Sequence, residues 1–318
     1  MRANKRRLGR TDLQIVPIVF GGNVFGWTAD EATSFRLLDA WVDAGFNAID
    51  TADVYSFWVE GHSGGESEAV IGRWLKRRGR ADDVLLFTKV GWAAGKTEGG
   101  NLKAERIIQG CEASLRRLGV ERIDLYQAHS DDPTTPMEET LAAFDRLVRD
   151  GKVRWIGCSN FTAERLAEAL EVSDANGLAR YESVQPRYNL LDREGFEPAL
   201  RDACLANDVG AISYYALAAG FLTGKYSSEA DLLGRARAGG AGRYMSAENL
   251  QALGALREVA AAEGCTPGQA AVAWLLTRPG LTAPIASATS EDQLQELARA
   301  LEVGLSADSV AWLDALRA

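Results

Sequence analysis

Two hydrophobic patterns alternate along the chain. Short runs dominated by apolar and β-branched residues, at 17–22, 47–52, 84–90, 123–129, 153–160, 183–189, 210–216 and 282–289, read as eight strands. Between them lie stretches with apolar residues at helical spacing, among them "DEATSFRLLDAWVDAG", "AERIIQGCEASLRRLG" and "MEETLAAFDRLVRDG". These three close on Gly45, Gly119 and Gly151, as a left-handed helix terminus favours. Continuous apolar strands alternating with helices, without a break in composition, predict a parallel sheet closed as a (β/α)8 TIM barrel of the α/β class, in one domain over 1–318. The segment "LGRTDLQIV" (8–16) is expected to form a hairpin across the barrel floor, and "SADSVAWLDAL" an extra C-terminal helix. The irregular stretch 217–245 is long for a connection in a compact domain, which marks it as functional.

Composition narrows the classes of function. With 318 residues, 47% of them hydrophobic, the chain can bury a large core. A net charge of −9 argues against nucleic acid or an acidic membrane as a partner held by bulk charge. The basic start "MRANKRRLGR" resembles the head of a signal peptide, but the apolar run after it is short and broken by Pro17. Cys111, Cys158, Cys204 and Cys265 are scattered, a pattern of reduced thiols, so a cytoplasmic protein is expected. Two histidines make a His-built metal site unexpected. The oligomeric state is not written in the sequence.

The chemistry gathers where strands end. In a (β/α)8 barrel the active site lies at the carboxyl ends of the strands. Asp50 ends the second strand with Tyr55 just beyond it, Lys89 ends the third and His129 the fourth. Asp50, Lys89 and His129 are spaced by 39 and 40 residues, one strand–helix repeat each, so they converge on one rim. Singly, such residues are more often structural; at matched positions they suggest a reaction. A phenol, with a pKa of about 10, is a poor donor at neutral pH, and an ammonium beside it lowers that value. Lys89 can supply that charge, Asp50 can hold Lys89, and His129 can donate a hydrogen bond to a carbonyl oxygen. The set suits protonation of a carbonyl oxygen while hydride arrives at carbon. Glu66 and Glu68 in "GGESE" read as the acidic first turn of a helix. Three of the eight tryptophans, Trp27, Trp58 and Trp92, fall in rim loops with Phe57 and His62 nearby, an expected substrate wall; Trp41, Trp74, Trp155, Trp274 and Trp312 are expected in the core.

The motifs "AIDTADVYS", "GGESE", "FTKVGW", "IDLYQAHSDD", "GKVRWIGCSNF", "VQPRYNLLDR" and "LTGKY" stand in the order of the aldo-keto reductases, which the chain resembles over nearly its whole length. The resemblance implies reduction of a small-molecule carbonyl with NADPH, NADH being possible, and a catalytic tetrad of Asp50, Tyr55 as acid, Lys89 and His129. It implies that Ser159, Asn160 and Gln185 hold the nicotinamide carboxamide and that Tyr214 stacks on the ring. "YYALAAGFLTGKY" resembles the family's cofactor-covering loop, which places Leu217, Ala218, Gly220 and Leu222 along the pyrophosphate, although Tyr215 and Ala216 stand where the family often has Ser and Pro.

The adenine end is implied in "IASATSEDQLQEL", where Ser290 and Gln293 read as a capping box opening a helix whose first amides can bind phosphate. The family often carries Lys or Arg at position 290 and Asn at 297; here stand Ser290 and Leu297. Ser287 and Thr289 can bond a 2′-phosphate, with Lys225 or Arg243 approaching from the long loop. No G-x-G-x-x-G follows a strand, so a Rossmann site is not indicated. Two other readings are open. A glycosidase would need two carboxyl groups across a sugar and leaves the Lys and Tyr without a role. A redox-sensing regulatory subunit, as some relatives of the family are, would bind nucleotide tightly and turn over slowly.

Overall fold

The computed structural model describes residues 4–92, 100–234 and 236–316. A two-stranded antiparallel hairpin, β1 (Arg6–Arg7) with β2 (Gln14–Ile15), precedes eight parallel strands. These are β3 (Val19–Gly21), β4 (Ala48–Asp50), β5 (Leu85–Val90), β6 (Ile123–Ala128), β7 (Val153–Ser159), β8 (Tyr181–Gln185), β9 (Gly210–Ser213) and β10 (Leu281–Ala286). They pair in chain order and β10 closes on β3, giving the closed barrel expected of the sequence. Around it lie α1 (Glu31–Asp43), α2 (Glu66–Arg78), α3 (Ala104–Leu118), α4 (Met137–Arg149), α5 (Ala163–Asn176) and α6 (Ala199–Asn207). The short α7 (Ala238–Gly242), then α8 (Ala247–Ala262), α9 (Pro267–Leu276), α10 (Glu291–Ala300) and α11 (Ala307–Ala315) complete the shell.

Alternation along the strands sorts the side chains. Residues one apart point to opposite faces. Val19, Ala48, Phe87, Leu125, Ile212 and Ala283 share one buried cluster with Leu8, Leu13 and Ile15 of the hairpin, so the floor is sealed by apolar contact. Two residues further along, the same inward rows change character: Asp50 follows Ala48, Lys89 follows Phe87, Gln127 and His129 follow Leu125, and Tyr214 follows Ile212. The barrel is therefore apolar below and polar at its carboxyl end. Burying each large apolar side chain of the lower layer contributes about 1.5–3 kcal/mol, which holds the polar upper layer in place. The outward rows, such as Ile49, Leu86 and Tyr126, join the larger cluster with the helices.

Helix ends follow local chemistry. Asp30 caps α1 by accepting from the Thr33 amide at 2.8 Å. Gly45, Gly119 and Gly151 all take the left-handed conformation expected of them. Glu66 and Glu68 open α2 as expected; Glu68 is fully buried and accepts from Thr88 Oγ1 at 2.6 Å and Arg117 Nε at 2.6 Å. Trp41, Trp74 and Trp274 are core residues, whereas Trp155 is half-buried and bonds Asp12. Trp312 on α11 is 45% exposed, while Ser309 and Leu313 are the buried residues of that helix. Among the described residues no helix is long and apolar enough to cross a membrane.

Candidate active site

At the carboxyl end of the barrel a cleft of about 970 Å³ runs from the strand ends to α10. Its base is the convergence expected from the repeat spacing. Lys89, fully buried on β5, uses all three of its donors: to Asp50 Oδ2 at 2.5 Å, to the Thr51 carbonyl at 2.8 Å and to Tyr55 Oη at 2.9 Å. Asp50 Oδ1 accepts from Gln185 Nε2 at 2.9 Å and Gln127 Nε2 at 3.3 Å, so the buried carboxylate is bonded on both oxygens. Gln127 was not singled out in the sequence; its inward register, two residues after Leu125, was the available signal. His129 completes the base, its ring centroid 6.0 Å from that of Tyr55.

Burial shapes the titration of these groups. It pushes Tyr55 up to about 12, with Lys89 pulling the other way and Asp50 adding to the rise. The ammonium was expected to lower the phenol, and it does oppose the rise, but desolvation of the phenolate is the larger effect. Lys89 is itself pressed down by burial, yet Asp50 and Tyr55 outweigh that and its pKa is raised. His129 is held well below the usual imidazole value by burial and then by Lys89, so the ring is neutral near pH 7. The base thus presents a protonated phenol and an uncharged imidazole to the cleft.

Beyond the base, the strand ends carry a connected polar set. Ser159 Oγ donates to the Gln185 carbonyl at 2.8 Å, Asn160 Nδ2 to the His129 carbonyl at 2.9 Å, and Tyr214 Oη to Asn160 Oδ1 at 2.8 Å. All four of Ser159, Asn160, Gln185 and Tyr214 line the cleft. The following strap divides its residues between two faces. Leu217, Ala219, Gly220 and Thr223 face the cleft, while Ala218 and Leu222, expected there, are fully buried in the core. A left-handed backbone at Ala218, Ala219 and Gly220 produces this split, which no periodic pattern announces. At Gly240 a Cβ would stand 3.1 Å from that of Ala219, so a glycine lets the strap lie close there.

The cations are arranged differently from the sequence expectation. Lys225 lines the cleft, but Arg243 is exposed and stands outside it, at the end of α7. Arg237 takes the inner place. It lies over the Trp27 ring at 5.9 Å, and its Nε and Nη2 are buried without a hydrogen-bond partner in the protein. Burial lowers its pKa, though a guanidinium keeps its proton in proteins. A buried, unpaired guanidinium is costly unless an anion meets it, so the cleft fits a ligand bearing phosphate.

At the far end Ser287, Thr289 and Gln293 line the cleft, joined by Glu296 and Leu297, while Ser290 does not. Ser290 caps α10 by accepting from the Gln293 amide at 3.3 Å. The reciprocal half of the expected capping box is not made, because Gln293 Oε1 reaches the Thr289 amide at 2.9 Å instead. The aromatic wall consists of Trp27, Trp58 and Trp92. Phe57, expected in it, lies outside the cleft and packs edge-on against Trp58, and His62 Nδ1 lies 3.3 Å from the Ser56 carbonyl.

Known proteins resemble this chain over most of its length. The model of the aldo/keto reductase family matches residues 17–318. An "Uncharacterized oxidoreductase YrpG" of Bacillus subtilis is 33% identical, covering 96% of this chain and 94% of its own. "Aldo-keto reductase yakc [NADP(+)]" of Schizosaccharomyces pombe is 32% identical over 89% of this chain and 82% of its own. A "Putative voltage-gated potassium channel subunit beta" of the same yeast is 34% identical over 93% and 88%. The chain belongs to the aldo/keto reductase family, and it is an oxidoreductase.

Proposed function

We propose that this member of the aldo/keto reductase family reduces an aldehyde or ketone to the alcohol with NADPH, Tyr55 being the proton donor. The observation that carries the reading is the bonding of Lys89 Nζ to both Asp50 and Tyr55 at the base of a cleft large enough for a dinucleotide. Tyr55 donates its proton to the carbonyl oxygen as negative charge develops there. Lys89 steadies the phenolate left behind, and Asp50 with Gln127 and Gln185 fixes Lys89. The neutral His129 donates a hydrogen bond to the same carbonyl oxygen and orients it; general acid catalysis of this kind contributes about 10²–10⁴-fold.

Bound nicotinamide would supply the hydride. Ser159, Asn160, Gln185 and Tyr214 are the polar and aromatic groups available to hold it, and Arg237 with Lys225 the cations available to its phosphates. Thr289 and Gln293 serve the adenosine end, with Ser287 toward the barrel. NADPH is preferred over NADH on this reading, because a third phosphate adds charge for the cleft cations to meet. Trp27, Trp58 and Trp92 would flank the substrate. The test is oxidation of NADPH and of NADH, followed by absorbance, against aromatic aldehydes, aliphatic ketones and keto-sugars. Turnover with at least one class is expected, and its absence with every class would remove the reductase reading.

A second reading rests on the relatives named as potassium channel β subunits, from Schizosaccharomyces pombe, rice and Arabidopsis thaliana. A nucleotide-binding regulator would hold NADPH tightly and exchange hydride slowly. Slow turnover with every carbonyl, accompanied by tight nucleotide binding, would favour it.

A further inference from the structure

Two acids precede Tyr55, Asp50 at the end of β4 and Asp53 in the loop to α2, and only Asp50 enters the cluster at the cleft base. Asp53 lies behind it, outside the cleft, 9% exposed. Its Oδ2 accepts from Arg106 Nη2 on α3, and its Oδ1 is buried with no hydrogen-bond partner. Its amide donates to the Lys89 carbonyl at 3.2 Å, so backbone and side chain together join the Tyr55 loop to β5 and α3. Immediately after Tyr55, Ser56 has φ 75°, a strained value for a residue with a side chain, held by its hydroxyl bond to the Phe25 carbonyl at 2.8 Å. Further on, Gly64 lies against Asp53: a Cβ there would stand 3.1 Å from the Asp53 carbonyl oxygen. A backbone in such a state persists only where its surroundings hold it on both sides.

We propose that Asp53 is a positioning residue: ionised and paired with Arg106, it fastens the loop so that Tyr55 stays in bonding reach of Lys89. The proposal rests on the reading of Tyr55 as proton donor. The charged and titratable groups around Asp53 are Arg106 and Arg117 from α3, Glu68 from α2 and Tyr126 from β6. Burial raises Asp53 to about 6, Arg106 and Arg117 pull it down and Glu68 pushes it up. Since this folded value lies above that of an unfolded Asp, ionised Asp53 does not stabilise the fold. Its stabilising contribution is complete at pH below about 4 and is lost as pH rises through about 6. A buried charge kept at such a cost is the pattern of a functional device rather than of a stabilising ion pair.

The test compares Asp53→Asn, Arg106→Leu, Arg106→Lys and Tyr55→Phe with the unaltered chain for kcat, KM, NADPH binding and melting temperature across pH 5–9. The unaltered chain should lose kcat on acidification with a midpoint near 6, the ionisation of Asp53. Asp53→Asn should show kcat lowered about ten- to a hundredfold, the scale of a small misplacement, without that acid limb. Its NADPH affinity should be kept, and its melting temperature at pH 8 unchanged or raised. Arg106→Leu, which leaves Asp53 buried without its cation, should move the limb to higher pH with activity returning by pH 9, and Arg106→Lys should lie between. A structural role alone would lower the melting temperature of Asp53→Asn and leave the limb in place. Asp53→Asn with full kcat and an unchanged acid limb would overturn the proposal. If Tyr55→Phe keeps its turnover, the reading of Tyr55 fails, and the proposal with it.

Discussion

The base of the cleft and the strap over it are built on opposite principles. At the base every hydrogen on Lys89 is used within the protein, and Asp50 is bonded on both oxygens. In the strap, Arg237 keeps two buried nitrogens without a partner, and Tyr215, Ala218 and Ala219 hold left-handed backbone without being glycine. The strap is tied down by the Tyr215 carbonyl accepting from Asn189 Nδ2 at 3.1 Å, by the Gly224 carbonyl accepting from Arg257 Nη2 at 2.7 Å and by Tyr244 Oη donating to Asp192 at 2.5 Å. The base is finished before any ligand arrives, which suits groups that must act on a reacting atom. The strap is left incomplete in charge, which suits a surface whose partner is the ligand.

That contrast can be broken at either end. Lys89→Met should have the largest effect, removing turnover and destabilising the fold by about 3–5 kcal/mol, because Asp50 is left buried without its cation. Melting curves and steady-state rates would read both losses. The double variant with Asp50→Asn should recover stability but not activity, and recovery of activity would show that the base is scaffold only. Arg237→Met should act in the other direction, weakening NADPH binding about ten- to a hundredfold, the equivalent of about 1.5–3 kcal/mol for a charged hydrogen bond. Fluorescence titration would measure it, with the melting temperature of the unliganded chain unchanged or raised. Equal loss of ligand binding and of stability would make Arg237 a structural residue like Lys89.

Ser290→Arg should be milder. It places a cation beside Thr289, next to the end of the cleft proposed for adenosine, and should raise the preference for NADPH over NADH several-fold in kcat/KM, while the lost helix cap costs about 1 kcal/mol. Smallest of all is the expected response to pH between 7 and 9, where kcat should stay flat. The Tyr55 phenol, raised to about 12, keeps its proton throughout, and His129, depressed by burial, stays neutral. A basic limb with a midpoint below 9 would show that Lys89 outweighs burial at the phenol.

The same contrast explains what could be read in the sequence. The barrel was legible because eight apolar runs alternate with helical stretches, and Asp50, Lys89 and His129 recur one repeat apart at strand ends. Strand register then brings such residues to one rim without further information. The strap has no period. Which of its residues face the cleft depends on left-handed turns at Ala218 and Ala219, so Ala218 and Leu222 were expected on the wrong face and Arg243 was chosen in place of Arg237. Phe57 was placed in the cleft because it adjoins Trp58, but neighbours in a loop need not face the same way. The direction of the Tyr55 shift was misjudged for a different reason: a sequence shows that an ammonium is near, but not how completely water is excluded.

The most direct measurement is a single-turnover experiment on the unaltered chain and Tyr55→Phe, each saturated with NADPH and mixed with an aldehyde that the unaltered chain reduces. NADPH affinity is titrated on the same preparations. Tyr55→Phe is expected to bind NADPH as the unaltered chain does and to oxidise it at least a hundredfold more slowly, on the order of the general-acid contribution. Oxidation at the unaltered rate, or binding and oxidation lost together, would contradict the assignment of Tyr55 as the proton donor.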